Sequence, residues 1–115
     1  MSAIQIRLRQ LYIELAEVAD CYHYFAPSGA KAPYIVWAED AEDTSFDADN
    51  HKVRQAIGGY VDFFTKSEFD DRFDSIQNVL DSFDGLSWSW DATQYGDPQN
   101  DDDNLIHHTW SWRMR

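Results

Sequence analysis

The last third of the chain repeats one pattern, LSWSWD at residues 86–91 and TWSWR at residues 109–113. In both stretches large apolar side chains alternate with small polar ones, and a period of two predicts β-strands. The polar connection between them is rich in Asp, Asn, Gly and Pro, so the two strands are predicted to form an antiparallel hairpin with cross-strand tryptophan pairs on one face. That face is either core, covered by helices, or an exposed aromatic surface for contact with another protein.

Two amphipathic helices are predicted outside this hairpin, each with apolar residues at intervals of 4, 3, 4 and 3. The first has Ser2 as its N-cap and ends near Asp20. Its apolar residues are Ile4, Leu8, Leu11, Leu15 and Val18. The second has Ser67 as its N-cap and Gly85 as the left-handed residue after its end. Its apolar residues are Phe69, Phe73, Ile76, Leu80 and Phe83.

Three more strands are predicted between the helices, at residues 21–25, 34–38 and about 53–65. The centre of the third strand carries large residues on both faces, and Gly58-Gly59 indicates a bulge or a close backbone approach. The order α-β-β-β-α-β-β predicts an α+β fold, an antiparallel sheet of about five strands with two helices packed on one face. Residues 1–115 are expected to form a single domain with long acidic loops at about 39–52 and 96–104.

Composition excludes several classes of protein. Nine basic and 21 acidic residues give a net charge of −12, which opposes general binding to a phosphate backbone. The single cysteine, Cys21, excludes an internal disulfide and a multi-cysteine zinc site. No apolar run approaches the roughly 20 residues of a membrane span. The acidity reflects either solubility and habitat, or a specific role for negative potential.

The candidate chemical groups favour structural roles. Asp97, residues 101–103 and Asn104 offer oxygen ligands, but the loop lacks the glycine placement and distal Glu of a calcium loop. His107 and His108 are adjacent in a strand, so they point to opposite faces and do not chelate one ion together. Cys21 is expected to be a core thiol. We therefore expect no catalytic, cofactor-binding or metal-binding residues, and a small metal-assisted enzyme is the weakest of three hypotheses.

Several phrases, with the opening helix and the closing aromatic strand, support a family resemblance. They are APYIVW at 32–37, FDADN at 46–50 and YVDFFTK at 60–66. On these residues the sequence resembles the small tail-completion (tail terminator, head–tail joining) proteins of long-tailed bacteriophages and prophages. The resemblance implies a non-enzymatic homo-hexameric ring that caps the tail tube and connects it to the neck.

That resemblance also implies the partners and the location. The partners are copies of the chain itself, the tail tube protein and the head or neck connector proteins, with no membrane. Genomic DNA passes through the lumen without sequence-specific binding. The protein is expected in the tail and neck region of the virion, after assembly in the host cytoplasm.

The acidic loop contains the expected partner-contact residues. They are Phe46, Asp47, Asp49 and Asn50, with Phe46 inserting into a neighbouring ring or, alternatively, folding back onto its own sheet. A competing hypothesis from another class is an acidic binding or inhibitor module that blocks a basic partner, such as an immunity protein, an antitoxin or a DNA mimic.

Overall fold

A computed structural model describes residues 1–42, 56–96 and 104–115. The elements along the chain are α1 (Ala3–Ala16), β1 (Asp20–His23), β2 (Tyr34–Glu42), β3 (Ile57–Thr65), α2 (Asp71–Ser82), β4 (Leu86–Tyr95) and β5 (Ile106–Met114). All five strands form one sheet in the lateral order β1-β2-β3-β5-β4. The predicted α+β class with five strands and two helices is confirmed, although β5 lies between β3 and β4 and the lateral order therefore departs from chain order.

The sheet is mixed, so the prediction of a purely antiparallel sheet is wrong. Strand β1 runs parallel to β2, with Asp20 opposite Tyr34 and His23 opposite Trp37. The other three pairings are antiparallel. Residues 24–33 are not a tight hairpin turn, and they return the chain to the end of the sheet where β1 began. A return of that kind makes the next strand parallel.

Helix α1 begins as predicted and ends earlier. Ser2 is the N-cap, and it forms a capping box with Gln5. The backbone N–H of Gln5 donates to the Ser2 hydroxyl oxygen at 3.2 Å. The helix ends at Ala16 and not near Asp20, because Asp20 already pairs with β2 as the first residue of β1.

Helix α2 begins at Asp71, four residues after the predicted cap. Asp70 is the N-cap, because its carboxylate accepts a hydrogen bond of 2.9 Å from the backbone N–H of Arg72. Phe69 therefore precedes the helix and is not part of its apolar stripe. Gly85 has a φ of +76°, the left-handed conformation predicted for it.

Several strand boundaries also differ from the predictions. Strand β1 stops at His23, since Tyr24 has a positive φ of 77°. Strand β2 continues to Glu42, so the start of the predicted acidic loop is strand, with a register shift between Glu39 and Ala41. Strand β3 is described from Ile57. The hairpin strands are longer than their tryptophan motifs.

The core lies between the two helices and one face of the sheet, which we call the helix face. Helix α1 contacts β1, α2 contacts β4, and the helices touch each other. Fully or nearly fully buried side chains of this core include Leu11, Leu15, Ile35, Trp37, Val61, Phe63, Ile76, Leu80, Trp110, Trp112 and Met114. None of the helices in the described part of the chain has the length and apolar character needed to cross a membrane.

The tryptophans of the hairpin form the predicted cross-strand pairs, Trp88 with Trp112 and Trp90 with Trp110. All four lie on the helix face. Trp110 and Trp112 are buried, and Trp110 donates its indole N–H to Gln77 of α2 at 3.1 Å. The core alternative is therefore correct for these two. Trp88 is partly buried, and Trp90 is still 52% exposed.

Candidate interaction surfaces

The partner-contact residues expected from sequence, Phe46, Asp47, Asp49 and Asn50, lie outside the described residues. The choice between a partner-inserting Phe46 and one folded onto its own sheet therefore stays a prediction. Asp97 and residues 101–103 of the second acidic loop lie outside them as well. Within the described ranges, no three His, Cys, Asp or Glu side chains come together as a group able to hold a metal ion.

The adjacent histidines point to opposite faces of the sheet, as predicted. His107 lies on the face away from the helices, with its Nε2 atom 3.0 Å from Asp62 Oδ1. His108 lies on the helix face, where its Nδ1 atom is 2.7 Å from the Thr93 hydroxyl. Burial, and secondarily the neighbouring His107, lower the pKa of His108, so its ring is neutral at pH 7.

Cys21 is the buried core thiol that the sequence indicates. Burial raises the pKa of its thiol to about 12. Since the thiolate is the reactive form, this side chain is a poor nucleophile.

The face of the sheet opposite the helices carries a row of rings, which we call the aromatic row. It crosses four strands and consists of Tyr22, Tyr34, Phe64 and His107. The centroids of neighbouring rings are 6.1, 4.8 and 4.2 Å apart in that order. All four side chains are half-buried, and among the described residues no helix covers this face. The row is therefore a partly apolar strip that the described helices leave uncovered.

A second apolar surface lies on the outer side of α1. Ile6 and Ile13 are 56% and 45% exposed. They are two helical turns apart, and at 100° per residue they lie opposite the buried stripe of Leu8, Leu11 and Leu15. We call Ile6 and Ile13 the outer stripe. It faces away from the sheet, so it lies on the opposite side of the molecule from the aromatic row.

A third surface is a cleft of about 920 Å³ where the N-terminus of α2 meets the far end of the β4–β5 hairpin. We call it the acidic cleft. Its apolar lining residues include Phe69, Phe73, Trp90, Tyr95 and Ile106. Its carboxylates are Glu68, Asp70, Asp71 and Asp74, and His108 lines it too. Of the described lining residues none is Lys or Arg.

A polar cluster at the end of β1 consists of His23, Tyr24 and Glu39, which are joined by hydrogen bonds and ring stacking. The His23 ring is stacked between Trp37 and Tyr24, with centroids 4.2 and 3.8 Å away. Both oxygens of Glu39 accept hydrogen bonds, one from Tyr24 and one from His23. Partial burial raises the pKa of Glu39, but these bonds outweigh it and hold that pKa low. Through these two hydrogen bonds the Glu39 carboxylate helps to hold the left-handed Tyr24 in place.

None of the three surfaces, the aromatic row, the outer stripe and the acidic cleft, was predicted from the sequence. The sequence does contain a signal for the first of them. The large residues on both faces of β3 are a signal for the aromatic row, since one strand face already fills the core. The outer stripe was hidden because isolated exposed isoleucines are ordinary on a helix. The acidic cleft depends on the late start of α2, which places Phe69 outside the helix.

A scan against protein-family models finds no family that matches this chain, and a search of curated proteins finds no match either.

Proposed function

We propose that this protein is a non-enzymatic tail terminator, or head–tail joining, subunit of a long-tailed phage or prophage. It forms a ring, hexameric in the expected form, that caps the tail tube and connects it to the neck. The observation that carries the proposal is the pair of apolar surfaces on opposite sides of the molecule, the aromatic row and the outer stripe. The family resemblance of the sequence supplies the identity of the ring.

The aromatic row supports a contact between subunits. Burying a large aromatic side chain in a partner stabilises an interface strongly, and rings are enriched at the centres of such contacts. The row is held in place by its own ring stacking, with Phe64 between Tyr34 and His107. A rigid apolar strip loses little conformational entropy when a partner covers it.

The position of the outer stripe supports a ring. When one copy places Ile6 and Ile13 on the aromatic row of the next copy, the two surfaces in contact are different. Such head-to-tail contacts form a closed ring if the rotation between copies closes, and a filament if it does not. The charges are compatible, because the exposed Arg9 lies on α1 near the outer stripe, whereas Asp62 lies beside the row.

The charge of the chain suits the expected passage of DNA. A ring of subunits, each with a net charge of −12, repels phosphate over a Debye length of about 8 Å at physiological salt. A conduit that does not bind the phosphate backbone lets DNA move through it.

One observation favours the second candidate, an acidic module that blocks a basic partner. The acidic cleft gathers four carboxylates around exposed rings, and a cationic partner would be attracted to it. This candidate predicts a monomer or dimer that forms a tight, salt-sensitive 1:1 complex.

The experiment measures the mass of the assembly and its ability to cap tubes. Size-exclusion chromatography with light scattering gives the mass at increasing concentration, with and without tubes assembled from the tail tube protein of the same phage. Electron microscopy then shows whether rings sit on tube ends. We expect rings of this chain at the ends, and Ile13→Asp is expected to abolish them while leaving the circular dichroism spectrum unchanged.

Asn78→Asp is the matched control, because it adds the same charge at an exposed position of α2 and should leave assembly intact. A chain that stays monomeric at high concentration and leaves tube ends bare would refute the ring. Equal assembly by the Ile13→Asp variant would refute the outer stripe as the contact.

A further inference from the structure

Phe69 combines an exposed ring with a left-handed backbone conformation. Its side chain is 99% exposed, and its φ of 53° places a large non-glycine residue in the left-handed region. That conformation costs roughly 1–2 kcal/mol for a residue with a Cβ atom. Because the ring is exposed, it adds no burial energy that would offset this cost in the folded state of the isolated chain. Strain at a fully exposed aromatic residue therefore points to use outside the fold.

The surrounding turn holds Phe69 in this position. The buried Thr65 hydroxyl donates to Asp70 Oδ2 at 2.6 Å and accepts from the backbone N–H of Ser67 at 3.1 Å. Asp70 in turn caps α2 through Arg72. Residues on both sides of Phe69 are thus anchored, so the backbone that carries the ring is already ordered before a partner binds.

The acidic cleft supplies the apolar part of a binding surface beside Phe69. Phe73 packs edge-on against Trp90, with ring centroids 5.9 Å apart and planes at 79°. Phe73 also meets His108 at 4.8 Å, which makes the floor of the cleft a set of packed rings. Tyr95, 79% exposed, and the half-exposed Trp90 leave ring surface open to the cleft.

The charge of the cleft decides what kind of group fits it. Glu68, Asp71 and Asp74 make no side-chain hydrogen bond or ion pair with another described residue. The nearby Arg72 is already paired with Asp70 at 3.2 Å. The cleft therefore presents uncompensated negative charge next to open aromatic surface, which attracts a cation that also stacks on rings.

We propose that the acidic cleft docks an arginine-bearing segment of a partner protein, with Phe69 packing against apolar side chains beside that arginine. A guanidinium group is planar, stacks on the rings of Trp90 or Tyr95, and pairs with a carboxylate through two parallel hydrogen bonds. An ammonium group is attracted by the same charges, but it has neither the flat surface nor the paired donors of a guanidinium. The site shares no residue with the aromatic row or the outer stripe, so the inference does not require the ring.

The test is a titration of the ¹⁵N-labelled full chain, followed by NMR, with the blocked pentapeptide acetyl-Gly-Leu-Arg-Leu-Gly-amide up to 10 mM. The control peptide has citrulline in place of arginine, which keeps the shape and removes the charge. We expect shifts centred on residues 67–74, 93–96 and 104–108, with an affinity at least fivefold higher for the arginine peptide. Phe69→Ala is expected to weaken binding at least threefold.

Phe25→Ala is the matched control variant, since Phe25 is 78% exposed and lies outside the cleft. It should leave the affinity for the arginine peptide unchanged. The proposal is overturned by equal affinity for both peptides, by an equal loss in both variants, or by the absence of shifts at 10 mM. Shifts at the same residues when the protein alone is concentrated would assign the cleft to a second copy of the chain and also overturn it.

Discussion

The indole of Trp112 on β5 lies against the backbone of Gly59, its register partner on β3. A Cβ atom built on Gly59 would overlap both the Trp112 ring and the carbonyl oxygen of Ala38 on β2. The glycine therefore gives the tryptophan room to lie buried over the sheet, only 2% exposed. This is the close backbone approach that the Gly58-Gly59 pair indicates in the sequence.

Gly59→Ala is expected to lower the free energy of unfolding by about 1–3 kcal/mol, because the ring or the strand must move to make room for the methyl group. Urea unfolding followed by tryptophan fluorescence measures the change. Gly58→Ala is the matched control, since its nearest neighbours would be 3.7 Å from the new Cβ atom, an ordinary contact. Equal losses in the two variants would contradict the packing argument.

Phe69 and Phe73 are expected to differ in stability although the sequence places both on one apolar stripe. Phe69→Ala should change the free energy of unfolding by less than about 0.5 kcal/mol, because the ring is exposed. Phe73→Ala should cost about 3 kcal/mol, since its ring packs against Trp90, His108 and Trp110. Chemical denaturation of both variants gives the comparison. Similar losses of stability would support the helix predicted from sequence, which begins at Ser67 and has Phe69 on its apolar stripe.

Asp70 should make the stability depend on pH. Burial raises its pKa, but hydrogen bonds from the Thr65 hydroxyl and from the amide and guanidinium of Arg72 outweigh it and hold that pKa below the usual value. A lowered folded pKa means that the carboxylate stabilises the protein above the unfolded pKa of about 3.9. This stabilisation is lost as pH falls through the lower folded pKa.

Asp70→Asn keeps an oxygen for capping but loses the charge. It should be less stable than the native chain by about 1–2 kcal/mol at pH 7. The difference should shrink as pH falls below the unfolded pKa of about 3.9 and disappear below the lower pKa of Asp70 in the folded protein. Urea unfolding at pH 7, 5 and 3 checks this. In a Thr65→Val background the difference should be smaller at pH 7 and pH 5, and a full-sized difference there would show that the Thr65 hydroxyl does not stabilise the carboxylate.

Cys21 should resist alkylation in the folded protein. With a thiol pKa of about 12, only on the order of 1 in 10⁴ of these groups is ionised at pH 8. Mass spectrometry after treatment with iodoacetamide should show slow modification in buffer and rapid modification in urea. Rapid labelling without urea would mean that the region of β1 opens readily.

The predictions from sequence succeeded where the signal is local and periodic. The alternation of tryptophan and serine identified the hairpin, the residue spacing identified the helices, and Gly85 was correctly expected to be left-handed. They failed at element boundaries. Phe69 has the spacing of the apolar stripe of α2, but it precedes the helix and is exposed, and spacing alone does not distinguish the two cases. The parallel pairing of β1 also had no local signal.

By itself the sequence determined the α+β class, the order of the elements, the opposed histidines and the buried thiol, because periodicity and composition act within short stretches of chain. Only the tertiary structure decided that the sheet is mixed, that Trp110 is buried while Trp90 remains half-exposed, and that three surfaces of the described residues are exposed. These features depend on which distant residues meet. Strand register and helix placement determine these contacts through packing, and residues that are neighbours in the sequence carry no local signal for it.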